Sequence, residues 1–141
     1  MAFEWFDHQA DIGVRGLGKS YEEAFAEAAH AMFSLIANLE TVKADKGIEV
    51  KVKGNELDEL LVNWLNELLY LKDSQGMVFK EFHVKRIYQK NGYFHIDAVA
   101  LGEKIDYKKH DLKSDVKAAT YSELKVEEMK GVFYAQCVVD V

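Results

Sequence analysis

Val132-Phe133-Tyr134-Ala135-Gln136-Cys137-Val138-Val139-Asp140-Val141 is an apolar run that stops on a carboxylate, and the fold turns on what this run pairs with. A short, nearly continuous apolar segment of this kind reads as a strand buried in a core. Its counterpart lies near the other end, in His8-Gln9-Ala10-Asp11-Ile12-Gly13, where an acid sits between apolar residues. If the two segments are neighbouring strands, Asp11, Asp140 and the free carboxylate of Val141 converge. Three carboxylates close together cannot all stay ionised without a cation, because like charges raise one another's pKa. A hard divalent metal is the natural partner, and calcium or manganese tolerates such a site with waters filling the remaining positions. A terminal carboxylate used as a ligand would also account for a chain that ends without a tail.

Between these ends the periodicity is clear. Ser20-Tyr21-Glu22-Glu23 has the pattern of a capping box, and Tyr21, Ala24, Phe25, Ala28, Met32, Leu35 and Ile36 then recur at helical spacing up to Asn38. Residues 46–53 alternate, with Ile48, Val50 and Val52 inward, as in a strand with one wet face. Asn55 is the expected N-cap of a second helix, whose stripe runs Leu57, Leu60, Leu61, Trp64, Leu65, Leu68 and Leu69, with Trp64 and Tyr70 able to reach the surface. Asn91-Gly92 joins two long strands, 77–89 and 93–103, as a tight hairpin. Short strands at 3–6, 12–17, 116–121 and 124–127 complete the expectation. Residues 1–141 thus read as one α+β domain, two helices packed on a mostly antiparallel sheet of about seven strands.

Composition narrows the function. With 49% apolar residues the chain is globular. Its net charge of −6 argues against a large nucleic-acid footprint, so little direct nucleic-acid binding is expected. The single cysteine, Cys137, excludes an internal disulfide and suits a reducing compartment. There is no basic-then-apolar leader and no apolar run of the roughly 20 residues that a membrane span needs, so the expected location is the cytoplasm, away from membranes.

The motifs for familiar chemistry are missing: no CxxC, HExxH, GxSxG or P-loop occurs. Gly13, Gly16 and Gly18 precede a helix, but not at dinucleotide-loop spacing, and read as a glycine-loosened strand edge. His8 and Asp11 fit either a turn with a capping Asp or a metal or general-base site. Asp106 and His110 fit either a solvated loop or one that contacts a partner. Lys117 is either a solvent-facing charge or, beside the carboxylates, a contact for a phosphate or an acidic group.

Taken in order, His8-Gln9-Ala10-Asp11-Ile12-Gly13-Val14-Arg15-Gly16, Ser20-Tyr21-Glu22-Glu23-Ala24-Phe25, Leu60-Leu61-Val62-Asn63-Trp64-Leu65-Asn66, Asp106-Tyr107-Lys108-Lys109-His110, Lys117-Ala118-Ala119-Thr120-Tyr121 and Val138-Val139-Asp140-Val141 make the chain resemble the archease family over essentially its whole length. The resemblance implies a small α+β protein that is not itself the main enzyme. It acts with an RtcB-class tRNA-splicing RNA ligase, promoting the ligase's guanylylation and multiple turnover. It also implies a link to chaperoning an RNA methyltransferase. The family's metal ligands fall on Asp11, Asp140 and Val141, its functional lysine on Lys117, and the contact surface takes in His8, Asp106 and His110. Two positions depart from the family pattern: Gln9 stands where threonine is usual, and Ser122 where histidine is common. The rival reading from the residues themselves is a stand-alone metal-dependent phosphoesterase, for which only His8 and His110 could serve as water-activating bases.

Overall fold

The computed structural model of the protein describes residues 2–8 and 10–141. Its elements are β1 (Ala2–His8), β2 (Asp11–Gly18), α1 (Tyr21–Ile36), a 3-10 turn at Leu39–Thr41, β3 (Lys46–Gly54), α2 (Leu57–Gln75), β4 (Met77–Lys90), β5 (Tyr93–Lys104), β6 (Ala118–Ala119), β7 (Lys125–Met129) and β8 (Val132–Asp140). The expected α+β class holds, two helices with antiparallel strands, but the strands divide into two sheets. One has the order β1-β2-β8, with β6 and β7 both on the far edge of β8; the other has the order β3-β5-β4. Each helix packs against strands of both sheets.

Local chemistry accounts for most boundaries. Ser20 caps α1, its hydroxyl accepting the Glu23 N–H at 3.1 Å. α1 ends at Ile36, and Asn38 caps the following 3-10 turn instead of ending the helix. The N-cap of α2 is Glu56, not Asn55, and it makes no side-chain cap bond. The Glu59 carboxylate reaches back to the Asn55 N–H at 2.9 Å, one residue before the N-cap whose N–H a capping box would satisfy. Asn91 and Gly92 both take positive φ, 55° and 80°, as a tight hairpin between right-twisted strands requires.

The apolar stripes of both helices meet one buried cluster that includes Phe25, Met32, Phe33, Leu61, Trp64, Leu68, Phe79 and Ile96. Trp64 is fully buried, its indole N–H donating to the Phe25 carbonyl at 3.0 Å, so it ties α2 to α1. Tyr70 alone of the two aromatics proposed for the surface reaches it. Cys137 is buried as expected, and burial pushes its thiol up to about 12, so it is inert at neutral pH.

β2 is not an edge: β1 and β8 flank it. Its glycines let α1 come close. A methyl group on Gly16 would overlap the Ala24 carbonyl oxygen and the Ala28 amide nitrogen of that helix. No described helix is long and apolar enough to cross a membrane.

Candidate functional site

The two ends of the chain do pair. Ile12 lies opposite Val139 in the antiparallel β2–β8 ladder. Continuing that register by one residue puts Asp11, the first residue of β2, opposite Asp140, the last of β8. Side chains directly opposite across such a pair share a face, with Cβ atoms about 5 Å apart. On the other flank of β2, His8 pairs with Asp11, and on the other flank of β8, Ala118 pairs with Asp140. His8, Asp11, Asp140 and Ala118 therefore form one row across four strands.

The row lies on the face turned away from the helices. Along β1 the odd positions meet α1, where the Trp5 indole donates to the Ala31 carbonyl at 2.9 Å and Phe3 stacks near His30. The even positions, His8 among them, point to the open side. There Phe6 lies over Gly13, and Arg15 donates to Gln136 at 2.8 Å and to Glu4 at 2.6 Å.

Burial is uneven along the row. Asp140 is exposed and Asp11 half-buried. His8 Nδ1 is buried with no hydrogen-bond partner. An orphaned ring nitrogen costs about 1–3 kcal/mol and calls for a ligand or partner group. The Val141 side chain packs against the core, so only its main-chain oxygens are free to contribute to the site. Among the described residues, no three His, Cys, Asp or Glu side chains come together at metal-ligand spacing. Asp11 and Asp140 supply two hard donors, and a third has to come from the main chain or a partner. This donor set fits a weakly held hard cation, not a closed four-ligand site.

The other sequence candidates separate. The Lys117 N–H donates to the Asp140 carbonyl at 2.8 Å, and its side chain is exposed. Asp106 and His110 belong instead to a loop anchored on the other sheet. His110 is only 3% exposed, so its ring lies beneath the loop and offers no contact surface. Its Nδ1 accepts the Asp106 N–H at 2.9 Å, and its Nε2 lies 2.9 Å from the Glu103 carboxylate at the end of β5. Polar composition had marked this segment as solvated; the histidine is a structural strut. Gln9 lies outside the described residues. Ser122 takes part through its backbone, its carbonyl accepting the Val138 N–H at 3.1 Å.

Glu103 gathers that loop. Hydrogen bonds from Lys109, then His110, then the Lys43 amide hold its carboxyl down at about 2. A folded pKa below the unfolded one gives stability that is present above the ordinary carboxylate range and lost as pH falls toward about 2. Glu103→Gln is therefore expected to be less stable than wild type at neutral pH, with the gap closing in acid. Melting temperatures of both proteins from about pH 7 to about pH 2 check this, and a constant gap would refute it.

Sequence reading missed Asn66. From α2 its side chain accepts the Ala119 N–H at 2.8 Å and donates to the Ala119 carbonyl at 3.2 Å. Those are the backbone groups that β6 turns away from β8, so the amide closes the sheet edge beside Asp140. Only its polarity within the apolar stretch Trp64–Leu69 could have signalled this. β6 is two residues long, Ala118–Ala119, and not the expected 116–121.

Comparison with known proteins places the chain by sequence and by fold. Residues 3–141 match the model of the Archease protein family (MTH1598/TM1083). The chain is 44% identical to the protein archease of Pyrococcus furiosus, over 99% of this chain and 98% of that one. It is 42% identical to the protein archease of Methanosarcina barkeri, over 99% and 95%. The fold superposes on the solution structure of Methanobacterium thermoautotrophicum protein 1598 with a TM-score of 0.84 at 30% identity, covering 99% of both chains. It also matches the crystal structure of a Thermotoga maritima archease, described as a possible chaperone, with a TM-score of 0.57 at 22% identity over 96% and 94%. The chain belongs to the archease family.

Proposed function

We propose that this protein is an activator and not itself an enzyme: it promotes guanylylation and multiple turnover of an RtcB-class RNA ligase in tRNA splicing. The reading is supported above all by the β2–β8 register, whose continuation brings Asp11 and Asp140 to adjacent strand ends, with His8, whose Nδ1 lacks a partner, paired to Asp11 on β1. Asp11, Asp140 and the main-chain carboxylate of Val141 hold a divalent cation, calcium or manganese. The cation supplies positive charge that lets the carboxylates approach one another and an acidic or phosphate group of the partner. Lys117, exposed and tied through its backbone to Asp140, extends the same contact surface. Asn66 keeps the β6 edge in position beneath it.

The test is ligase guanylylation and RNA joining at catalytic ligase concentration. Wild type is expected to stimulate both, and Asp140→Ala and Asp11→Ala to lose at least about tenfold of that stimulation, a loss of about 1.4 kcal/mol of coupling. Stimulation unchanged by both substitutions overturns the reading. A separate readout checks the cation: it should raise the melting temperature of wild type and not of Asp140→Ala, since a ligand bound only to the native state stabilises it by mass action. The second reading, a chaperone of an RNA methyltransferase, draws on the words "possible chaperone" attached to the Thermotoga protein. It predicts no ligase stimulation, with methyltransferase solubility raised equally by wild type and Asp140→Ala.

A further inference from the structure

The net charge of −6 is not spread evenly. On the three-stranded sheet, register puts Lys53, His95 and Tyr88 in one row and Lys51, Asp97 and Arg86 in the next. Tyr93 and Lys90 pair beyond them, toward the Asn91–Gly92 tip. The alternate row, Val52, Ile96 and Ile87, turns toward the core. Near the hairpin tip this outer face therefore carries four cations, Lys51, Lys53, Arg86 and Lys90, against one carboxylate, Asp97.

That carboxylate is already engaged. Arg86 donates to Asp97 at 2.7 Å, and the bond holds the guanidinium 4.0 Å from the centre of the Tyr88 ring. Tyr88 and His95 stack with centroids 5.1 Å apart and planes 14° apart, and the Lys53 ammonium sits 4.6 Å from the Tyr93 ring. Between the strands lies a shallow depression of about 300 Å³ lined by Lys51, Lys53, Tyr88, His95 and Asp97. The next rows, with Glu49, His83 and Glu81, end the positive region.

Cations alone would suit any acidic partner. An exposed ring beside them, Tyr93, with the Lys53 ammonium over it, suits a polymer that offers both phosphates and flat faces, because bases stack on aromatic side chains without regard to sequence. A duplex keeps its base faces hidden, whereas a single strand exposes them. We infer that the outer face of the β3-β5-β4 sheet, centred on Lys51, Lys53, Arg86 and Tyr93, binds single-stranded nucleic acid through its phosphates and bases. This goes beyond ligase activation and lies on the other sheet from the Asp11–Asp140 row.

The experiment is fluorescence anisotropy of labelled single-stranded RNA and DNA, each about 12 nucleotides long, titrated with the full chain at about 50 and about 200 mM salt. Binding is expected to weaken with salt. Lys51→Ala and Lys53→Ala should each reduce affinity and flatten the log–log salt slope by about 0.7, the single-strand value per phosphate contact. Tyr93→Ala should lose about tenfold and Tyr93→Phe should retain wild-type affinity, since stacking needs the ring and not the hydroxyl. Circular dichroism of the lysine variants, both altered at exposed positions, confirms that they fold. No anisotropy change, binding indifferent to all three alanine variants, or displacement by polyglutamate as effective as by unlabelled oligonucleotide overturns the inference, the last in favour of an acidic protein. RNA bound more tightly than DNA would assign a hydroxyl contact to the same face and supports it, as does equal binding of the two. These readouts need no ligase, so their failure leaves the ligase assay of Asp11→Ala and Asp140→Ala standing.

Discussion

Gly16→Ala is expected to lower the melting temperature by about 10 °C. The added methyl would overlap the Ala24 carbonyl oxygen and the Ala28 amide nitrogen. Both belong to helix backbone, so no side-chain rotation relieves the overlap. Either α1 lifts from β2 or β2 bends out of its pairing with β1 and β8. Overpacking costs typically about 1–3 kcal/mol and more when rigid atoms are the obstacle. At about 3–5 °C per kcal/mol for a chain of this size, the upper end of that range gives the expected shift. Gly47→Ala is the control: its methyl would meet only side-chain atoms of Val99 and Leu101, at 3.2 and 3.3 Å, which can shift. Thermal unfolding followed by circular dichroism compares the two. Equal melting temperatures for both variants would show that the close approach of helix and strand is not the constraint.

Trp64→Ala should be the most destabilising single truncation, at about 3–5 kcal/mol. The indole is fully buried and is the largest side chain in the cluster. Its removal leaves a cavity and orphans the Phe25 carbonyl, which otherwise accepts the indole N–H. Because α1 and α2 are joined at that point, the loss is felt by both helices. Against a typical total of about 5–15 kcal/mol, it leaves a marginal or unfolded protein. Trp64→Phe separates the two effects, since it keeps most of the volume and drops the hydrogen bond; about 1–3 kcal/mol is expected there. Urea unfolding at equilibrium reads both. A loss below about 1 kcal/mol for the alanine variant would mean that the core closes over the gap.

How much of this was legible depends on how local the cause is. The helices announced themselves because their stripes repeat every three or four residues. The β4–β5 hairpin was fixed by Asn91-Gly92, a pair suited to positive φ. The pairing of the chain ends was also readable, from one apolar run ending in an acid and another beginning with one. What stayed hidden depends on partners far away in sequence. Nothing within residues 46–104 says that three strands will form a sheet of their own, because strand alternation specifies a face and not a neighbour. The burial of His110 follows from Glu103 and the Asp106 backbone lying around it, while the loop's own composition is polar. The α2 cap falls on Glu56 and not on Asn55, whose own N–H donates to the Glu59 side chain from the helix's first turn. Asn66 looked like one polar break in an apolar stripe, and only the position of β6 gives it a role.

The β2–β8 ladder also fixes when the candidate site can exist. Its side-chain link, Arg15 to Gln136, spans 121 positions along the chain. Closing a loop of that length costs about 4 kcal/mol of chain entropy beyond the constant for a short one. By contrast, the β4–β5 pair closes across two residues. Loop closure thus favours early formation of the β4–β5 hairpin, while the β2–β8 ladder awaits the meeting of distant segments. Asp11 and Asp140 are neighbours only after that meeting, and they separate as soon as it is undone. The juxtaposition of Asp11 and Asp140 therefore depends on the β2–β8 ladder, and a partner that reads both residues reads a chain whose two ends have met.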